Sequence, residues 1–176
     1  MTTTKTLAAI FVGLTFAPLA LAQNVSVDSD KSYDFSKLKT FAIQVATPSG
    51  NPLADKRVLG EVEGALTSKG WKKVDAANAD AMVMLHGATE TKKDLNTMYS
   101  GMGGWRFGGM GSAQTTVQEY KVGTLVVDIF DAKSKSLVFR GTAQDELSDK
   151  ADKNTKKVEK ATAKMFKDFP PGSAKK

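Results

Sequence analysis

The fold of this chain is decided by Gly123-Thr-Leu-Val-Val-Asp-Ile-Phe-Asp-Ala132 and, after a short polar turn, by Leu137-Val-Phe-Arg-Gly-Thr-Ala143. Apolar side chains alternate in both segments, which is typical of half-buried strands, and the residues between them favour a turn. We therefore predict a strand over residues 119–131, a turn over 131–135 and an antiparallel partner strand over 136–143.

The alternation also predicts which side chains meet across this hairpin. The apolar rows are expected to share the core face, and their members are Leu125, Val127, Ile129, Leu137 and Phe139. Asp128 and Arg140 must then share the other face, directly or diagonally opposite each other. We expect a solvent-exposed cross-strand ion pair that contributes under about 1 kcal/mol.

Two amphipathic helices are predicted outside the hairpin. Asn51 suits the N-cap of a helix over residues 52–69, because Pro52 follows it at the first helical position. Ser148 suits the cap of a last helix that ends near residue 168. Both segments carry one apolar stripe and one polar face, so each should pack one side against a sheet.

Two more strands, over residues 40–45 and 81–87, complete the order β-α-β-β-β-α, with an extra edge strand over residues 25–28 as an option. We predict an α+β fold, a two-layer sandwich with a mixed or antiparallel sheet of about four to five strands and both helices on one face. Residues 23–172 are expected to form a single domain, followed by a basic tail over residues 173–176.

The N-terminus is typical of a secretory signal peptide. Lys5 precedes an uncharged apolar run over residues 7–21, and Ala20-Leu21-Ala22 matches a small-x-small cleavage site. The run is shorter than the roughly 20 residues that span a bilayer. We expect cleavage after Ala22 and a periplasmic or secreted protein without a transmembrane segment after processing. Because the chain has no cysteine, it should not be a lipoprotein.

The composition excludes several kinds of chemistry. The chain has no cysteine and a single histidine, His86. Zinc–cysteine sites, iron–sulfur clusters, thiol nucleophiles and multi-histidine metal sites are therefore excluded. The sequence also holds no Walker motif and no calcium-loop motif. We expect no cofactor, no metal and no catalytic residue.

The basic character of the chain is local. The formal net charge is +6, yet residues 23–147 hold 15 basic and 15 acidic side chains, whereas residues 148–176 hold nine basic and four acidic ones. Lysines recur at helical spacing opposite the apolar stripe of the last helix, namely Lys153, Lys156, Lys157, Lys160, Lys164 and Lys167. They form either a solvated helix face or a contact with an anionic envelope surface, such as lipid headgroups or lipopolysaccharide. Nucleic acid is not an expected partner, because no aromatic side chains accompany these lysines.

A second candidate surface is the Gly-rich segment over residues 100–111, SGMGGWRFGGMG. A strand pattern rather than a helix follows it, which argues against a nucleotide-binding loop. The segment is either a plain connection between strands or an adaptable loop. In the second case Trp105, Arg106 and Phe107 would contact lipid, glycan or an envelope protein.

These segments together resemble the bacterial "domain of unknown function 4136" family. The 123–143 hairpin resembles its closing hairpin, and Tyr33-Asp-Phe-Ser-Lys-Leu-Lys-Thr-Phe41 resembles its opening strand. Leu66-Thr-Ser-Lys-Gly-Trp71 and Phe166-Lys-Asp-Phe-Pro-Pro171 fit as well. The resemblance implies an envelope protein with an α+β sandwich, and it supplies no catalytic residue because the family has no established activity. We predict a non-enzymatic binding or assembly-supporting domain; the alternative is an enzyme acting on envelope lipid or glycan.

Overall fold

The computed structural model describes residues 23–100 and 112–171, which form a mixed sheet of six strands and two α-helices. The strands are β1 (Asn24–Ser29), β2 (Thr40–Thr47), β3 (Lys72–Lys73), β4 (Ala81–Ser100), β5 (Ser112–Asp131) and β6 (Leu137–Glu146). The helices are α1 (Pro52–Ser68) and α2 (Ala151–Met165). The α+β class is confirmed, but four to five strands was wrong. The additional strand, β3, has two residues and is too short to show any periodicity.

The strands lie in the order β1-β6-β5-β4-β2-β3. β2 is parallel to β3 and β4, and the other neighbours are antiparallel. β2 and β6 therefore end at the same edge of the sheet, which we call the upper edge. Because α1 follows β2 and α2 follows β6, both helices begin at the upper edge.

β4 and β5 extend far beyond their neighbours. They pair over their whole lengths, from Ala81 opposite Asp131 to Ser100 opposite Ser112. β2 pairs with β4 only as far as His86, and β6 pairs with β5 only from Val122. Residues 88–100 and 112–124 thus form a β-ribbon beyond the end of β2, about 40 Å long at ~3.3 Å per residue, and its outer part, residues 91–100 with 112–121, consists of two strands only.

The predicted strands 81–87 and 119–131 were therefore too short. Residues 89–94 read Thr-Glu-Thr-Lys-Lys-Asp and are exposed on both faces of the β-ribbon. Hydrophobic alternation marks a strand only where one face is buried. Over residues 89–94 and 116–121 the backbone ladder continues with no buried side chain, so the sequence carries no such signal there.

The helices pack on one face of the sheet, and their lower halves enclose an aromatic cluster. Phe169 lies at its centre, and the other rings belong to Phe35, Trp71, Phe139 and Phe166. Gly141 on β6 lets α2 approach, because a Cβ at this position would lie 2.2 Å from Met165 Cγ. The caps of α1 are as predicted: the Asn51 side chain accepts from Ala54 N, and Gly70 has φ +86°.

The predicted core row of the last strand was wrong at its first residue, Leu137. β6 carries a register shift, because Ile129 lies opposite Phe139 and Phe130 lies opposite Leu137, which leaves Val138 as an extra residue. Val138 is therefore buried at 1% exposure, and Leu137 is exposed rather than in the core row. A bulge of this kind inverts the alternation that the parity argument assumes.

The start of α2 also differs from the prediction. The N-cap position is Lys150, which makes no side-chain cap bond, and the helix ends at Met165 rather than near residue 168. Ser148 is instead bonded by Asn154, whose Oδ1 accepts from Ser148 N at 2.8 Å and whose Nδ2 donates to Ser148 O at 2.7 Å. The asparagine side chain thus satisfies the backbone where a serine cap was expected.

Candidate functional site

A cleft of about 730 Å³ opens at the upper edge between the N-terminal halves of the two helices. Its floor consists of helix-facing side chains of the sheet, namely Val45, Leu85, Leu125 and Ala143. Val58 of α1 and Val158 of α2 form opposite walls. We call this feature the inter-helix cleft.

The inter-helix cleft exists because small side chains occupy the upper half of the helix layer. Ala54 on α1 and Ala151 on α2 lie at its margins, whereas bulky aromatic rings fill the lower half. Val45 and Leu125 on the floor are consequently only partly buried, although they continue the core. Apolar surface that could have been covered by larger residues is left open to a ligand.

Charges of both signs surround the mouth of the inter-helix cleft. Lys157 Nζ lies 3.1 Å from Asp145 Oδ1 and donates to Glu146 O at 2.6 Å. The Asp55 carboxylate accepts from Ser49 N at 3.1 Å. Arg57 of α1 is half-buried, and within residues 23–100 and 112–171 no carboxylate forms an ion pair with it.

The opposite face of the sheet carries a polar cluster centred on Asp128. Arg140 lies directly across from it, and Arg140 Nε and Nη2 donate to the two carboxylate oxygens at 2.6 and 2.5 Å. The predicted pair is thus confirmed. The expectation that both partners are exposed was wrong, because Asp128 is 2% exposed on a central strand, whereas the Arg140 side chain is 51% exposed.

His86 and Thr47 extend this cluster by an imidazole ring and a hydroxyl group. Its Nδ1 is hydrogen-bonded to Thr47 Oγ1 at 2.9 Å, and its Nε2 lies 3.8 Å from Asp128 Oδ2. The order Thr47, His86, Asp128 has the residue types of a nucleophile, base and orienting acid. However, 3.8 Å exceeds hydrogen-bond length, and Arg140 already occupies both Asp128 oxygens. The arrangement is a hydrogen-bonded sheet cluster without the orientation that an activated nucleophile needs.

Two carboxylates with lowered pKa values, Asp131 and Asp80, lie at the lower edge of the sheet. The hydroxyl of Tyr33 donates to Asp131 and is the main cause that lowers the pKa of Asp131 to about 2. Burial, followed by this hydrogen bond, raises the pKa of Tyr33. Hydrogen bonds from the Thr40 side chain and Lys39 N lower the pKa of Asp80. These groups anchor strand ends and turns, and none of them lines the inter-helix cleft.

Five of the six predicted lysines form one exposed face of α2 and the turn after it, and the sixth, Lys157, does not. Five side chains point away from the sheet, are exposed and form no ion pair with any described carboxylate: Lys153, Lys156, Lys160, Lys164 and Lys167. We call these five the lysine face, which is about 21 Å long at ~1.5 Å per residue. Lys157 does not belong to it, because its ammonium group is bound at the mouth of the inter-helix cleft.

Other predicted features lie outside the described residues. They include the signal peptide over residues 1–22, the basic tail over residues 173–176 and the loop residues Trp105, Arg106 and Phe107. Conversely, sequence reasoning missed the inter-helix cleft and Arg57. No local pattern marks them, since the distance between two helices depends on residues far apart in the chain.

Neither metal ligation nor membrane crossing by a helix finds support in the part of the chain that the structure describes. No group of three or more histidine, aspartate or glutamate side chains is close enough to hold a metal ion there. Among the same residues, neither helix has the length and apolar character required to span a bilayer.

The comparison with solved structures found similar chains from several bacteria. A PDZ domain protein from Parabacteroides distasonis matches with a TM-score of 0.56 and 15% identity, over 84% of this chain and 35% of that chain. This chain thus spans about a third of that protein, and the likeness shows a shared fold alone.

Two further matches have lower TM-scores. The PelC dodecamer from Paraburkholderia phytofirmans gives 0.46 at 16% identity, covering 80% of this chain and 94% of that one. A putative neuraminyllactose-binding hemagglutinin homolog from Helicobacter pylori gives 0.44 at 13% identity, covering 77% and 87%. No curated protein matches this sequence.

The family comparison covers most of the chain. A model of the domain of unknown function DUF4136 matches residues 25–171, which include both helices and nearly the whole sheet. The resemblance seen in the sequence is therefore confirmed, and the chain belongs to the DUF4136 family.

Proposed function

We propose that this chain is a non-enzymatic binding protein of the bacterial envelope and that the inter-helix cleft is its binding site. One observation carries the proposal: the apolar floor of the cleft, including Val45 and Leu125, is open although it continues the core. A volume of about 730 Å³ falls within the range of roughly 300–1,000 Å³ that is usual for small-molecule sites. The signal-peptide pattern of the N-terminus supports the location.

The lining favours the hydrocarbon chain of an envelope amphiphile as the ligand. The floor and the facing walls are aliphatic, so covering them with an acyl chain removes apolar surface from water. The lining also carries charged side chains of both signs, and a lipid headgroup would stay hydrated beside Arg57. Mixed signs at the mouth argue against a polyanion as the occupant.

A larger side chain on the wall should block this ligand. We expect Val58→Phe to weaken binding of a dansyl-labelled undecanoic acid at least tenfold, because the ring would fill space above the floor. Leu53→Phe is the matched control, since Leu53 lies on the same helix, is 67% exposed and does not line the cleft. The measurement is a fluorescence titration at constant ionic strength.

The controls decide how the titration is interpreted. Leu53→Phe should bind the fatty acid as the unaltered chain does, and both variants should unfold at the same urea concentration within error. Absence of saturable binding by the unaltered chain, or equal affinity of Val58→Phe, would rule out the cleft as an acyl-chain site.

A second binding role is favoured by the lysine face. Five exposed ammonium groups without a carboxylate partner among the described residues form one continuous stripe, which suits an anionic envelope surface such as lipid headgroups or lipopolysaccharide. Each lysine near such a surface contributes about 1 kcal/mol, and salt screens the attraction. Contact of this kind would hold the protein at the membrane while the inter-helix cleft takes its ligand.

Vesicle co-sedimentation tests the lysine face. Changing Lys153, Lys156, Lys160 and Lys164 to Gln should reduce binding to phosphatidylglycerol vesicles at low salt by a hundredfold or more. The matched control removes four exposed lysines elsewhere, at Lys31, Lys39, Lys72 and Lys133. Equal losses in the two variants would mean that only net charge matters, and no loss in the first would exclude the contact.

The alternative, an enzyme acting on envelope lipid or glycan, has less support. Catalytic sites commonly combine a cleft with titratable groups whose pKa is strongly displaced. Here Tyr33 and Asp131 lie at the lower edge and Arg140 on the other face, away from the inter-helix cleft.

A further inference from the structure

The mouth of the inter-helix cleft lies on the same side of the protein as the lysine face. The sheet forms the floor of the cleft and the two helices form its walls, so the mouth between them opens away from the sheet. The lysine face points away from the sheet as well. Lys157, which lines the cleft, follows Lys153 by four residues and precedes Lys160 by three, so it neighbours both on the surface of α2. The lysine face therefore borders the mouth.

The outer side of α1 borders the mouth from across the cleft. Arg57 lines the cleft, and it follows Leu53 by four residues and precedes Gly60 by three. Residues three and four apart continue from there along the side of α1 that faces solvent, and we call them the outer stripe of α1. The outer stripe is exposed throughout and contains no carboxylate; its members are Leu53, Lys56, Gly60, Gly64 and Thr67.

The exposed carboxylates of α2 lie away from the cleft. Asp152 and Glu159 are roughly 150° around the helix from the side that lines the cleft, at ~100° per residue. A flat anionic surface that rests on the lysine face and on the outer stripe of α1 therefore covers the mouth and meets mainly positive or uncharged side chains.

We propose that the inter-helix cleft exchanges its acyl ligand directly with an anionic membrane that covers the mouth. This inference rests on the proposed function, because it requires both the acyl-chain site and the lysine face. In such a contact the hydrocarbon chain passes between the bilayer and the floor of the cleft without exposing its apolar surface to water. Release into water exposes the whole chain and is therefore the slower route.

Transfer kinetics distinguish contact from diffusion. Dansyl-labelled undecanoic acid bound to the protein is mixed by stopped flow with vesicles that carry a non-exchangeable quencher. Exchange by contact requires a rate that rises in proportion to vesicle concentration. The rate should be at least tenfold higher with phosphatidylglycerol than with phosphatidylcholine vesicles, because attraction between opposite charges makes encounters more frequent. Release into water would give one rate at every vesicle concentration, set by dissociation.

Removal of the lysine face should convert the first behaviour into the second. We expect the rate with phosphatidylglycerol vesicles to fall at least tenfold, and to lose its dependence on vesicle concentration, when Gln replaces Lys153, Lys156, Lys160 and Lys164. The affinity for the fatty acid without vesicles should stay within twofold, because none of these four side chains lines the cleft. The variant that removes four exposed lysines elsewhere is the matched control and should transfer as the unaltered chain does.

The outcomes separate this proposal from those on which it rests. Saturable fatty-acid binding and vesicle co-sedimentation, together with a transfer rate that is independent of vesicle concentration, would overturn contact exchange alone. Absence of fatty-acid binding, or of co-sedimentation, would overturn contact exchange together with the corresponding part of the proposed function.

Fluorescent labels test the orientation on the membrane. Because the chain contains no cysteine, Gly60→Cys and Gln44→Cys can each be labelled at a single position. Gly60 lies on the outer stripe of α1 with open space around it, whereas Gln44 is exposed on the opposite face of the sheet beside Met84. With phosphatidylglycerol vesicles that contain a spin-labelled lipid, the label at position 60 should be quenched at least threefold more than the label at position 44. Equal quenching, or stronger quenching at position 44, contradicts the proposed orientation.

Discussion

Replacing Phe169 with alanine is expected to lower the free energy of unfolding by about 4 kcal/mol, since fully buried Phe→Ala changes typically cost ~3–5 kcal/mol. The ring is buried, and its centre lies 5.1 Å from that of Phe139, 5.2 Å from Trp71 and 5.3 Å from Phe166. It joins residues from β6, from the end of α1 and from the segment after α2. Its loss would open a cavity between all three.

Urea denaturation followed by circular dichroism measures this effect. Leu53→Ala serves as the control, because Leu53 is exposed and its truncation should change the free energy of unfolding by less than about 0.5 kcal/mol. Phe169→Leu should lie between the two, since leucine refills part of the space. A loss below about 1 kcal/mol for Phe169→Ala would show that the aromatic cluster does not depend on this ring.

The pair of Asp128 and Arg140 should respond unequally to removal of its members. Arg140→Leu is expected to cost about 3 kcal/mol, because it leaves the buried Asp128 carboxylate without its two charged donors. Asp128→Leu should cost about 1 kcal/mol, because the half-exposed guanidinium of Arg140 can be hydrated instead. The difference arises from burial, which is almost complete for one partner only.

The double variant distinguishes this account from a simple loss of one bond. Asp128→Leu combined with Arg140→Leu should be more stable than Arg140→Leu alone, since no charge then remains buried. His86→Gln, which changes a neighbour 3.8 Å away, should alter the free energy of unfolding by less than about 0.5 kcal/mol. Equal costs for the two single variants would contradict the unequal burial of the partners.

Much of the architecture could be predicted because local chemistry determines it. Asn51 and Gly70 mark the two ends of α1, and the alternating residues of β5 and β6 identify the closing hairpin with its Asp128–Arg140 pair. The prediction fails where alternation is absent or interrupted. The bulge at Val138 inverts one end of β6, and β4 continues past Gly87 through residues 89–94, which are exposed on both faces.

The candidate sites divide in the same way. The lysine face is visible in the sequence, because a helix brings residues three and four apart onto one side. Even so, Lys157 does not belong to that face, because its ammonium group is bound by Asp145 and Glu146, which lie on β6. The inter-helix cleft combines residues from β2, α1, β5 and α2, and its openness depends on small side chains on both helices.

By itself, the sequence therefore determined the fold class, the family, the main helices and the charge distribution, because each follows from patterns within a few neighbouring residues. Only the tertiary structure decided that Asp128 is buried and that Arg57 has no described acidic partner. Those properties depend on what other segments cover, and coverage is set by packing between residues that are distant in the chain.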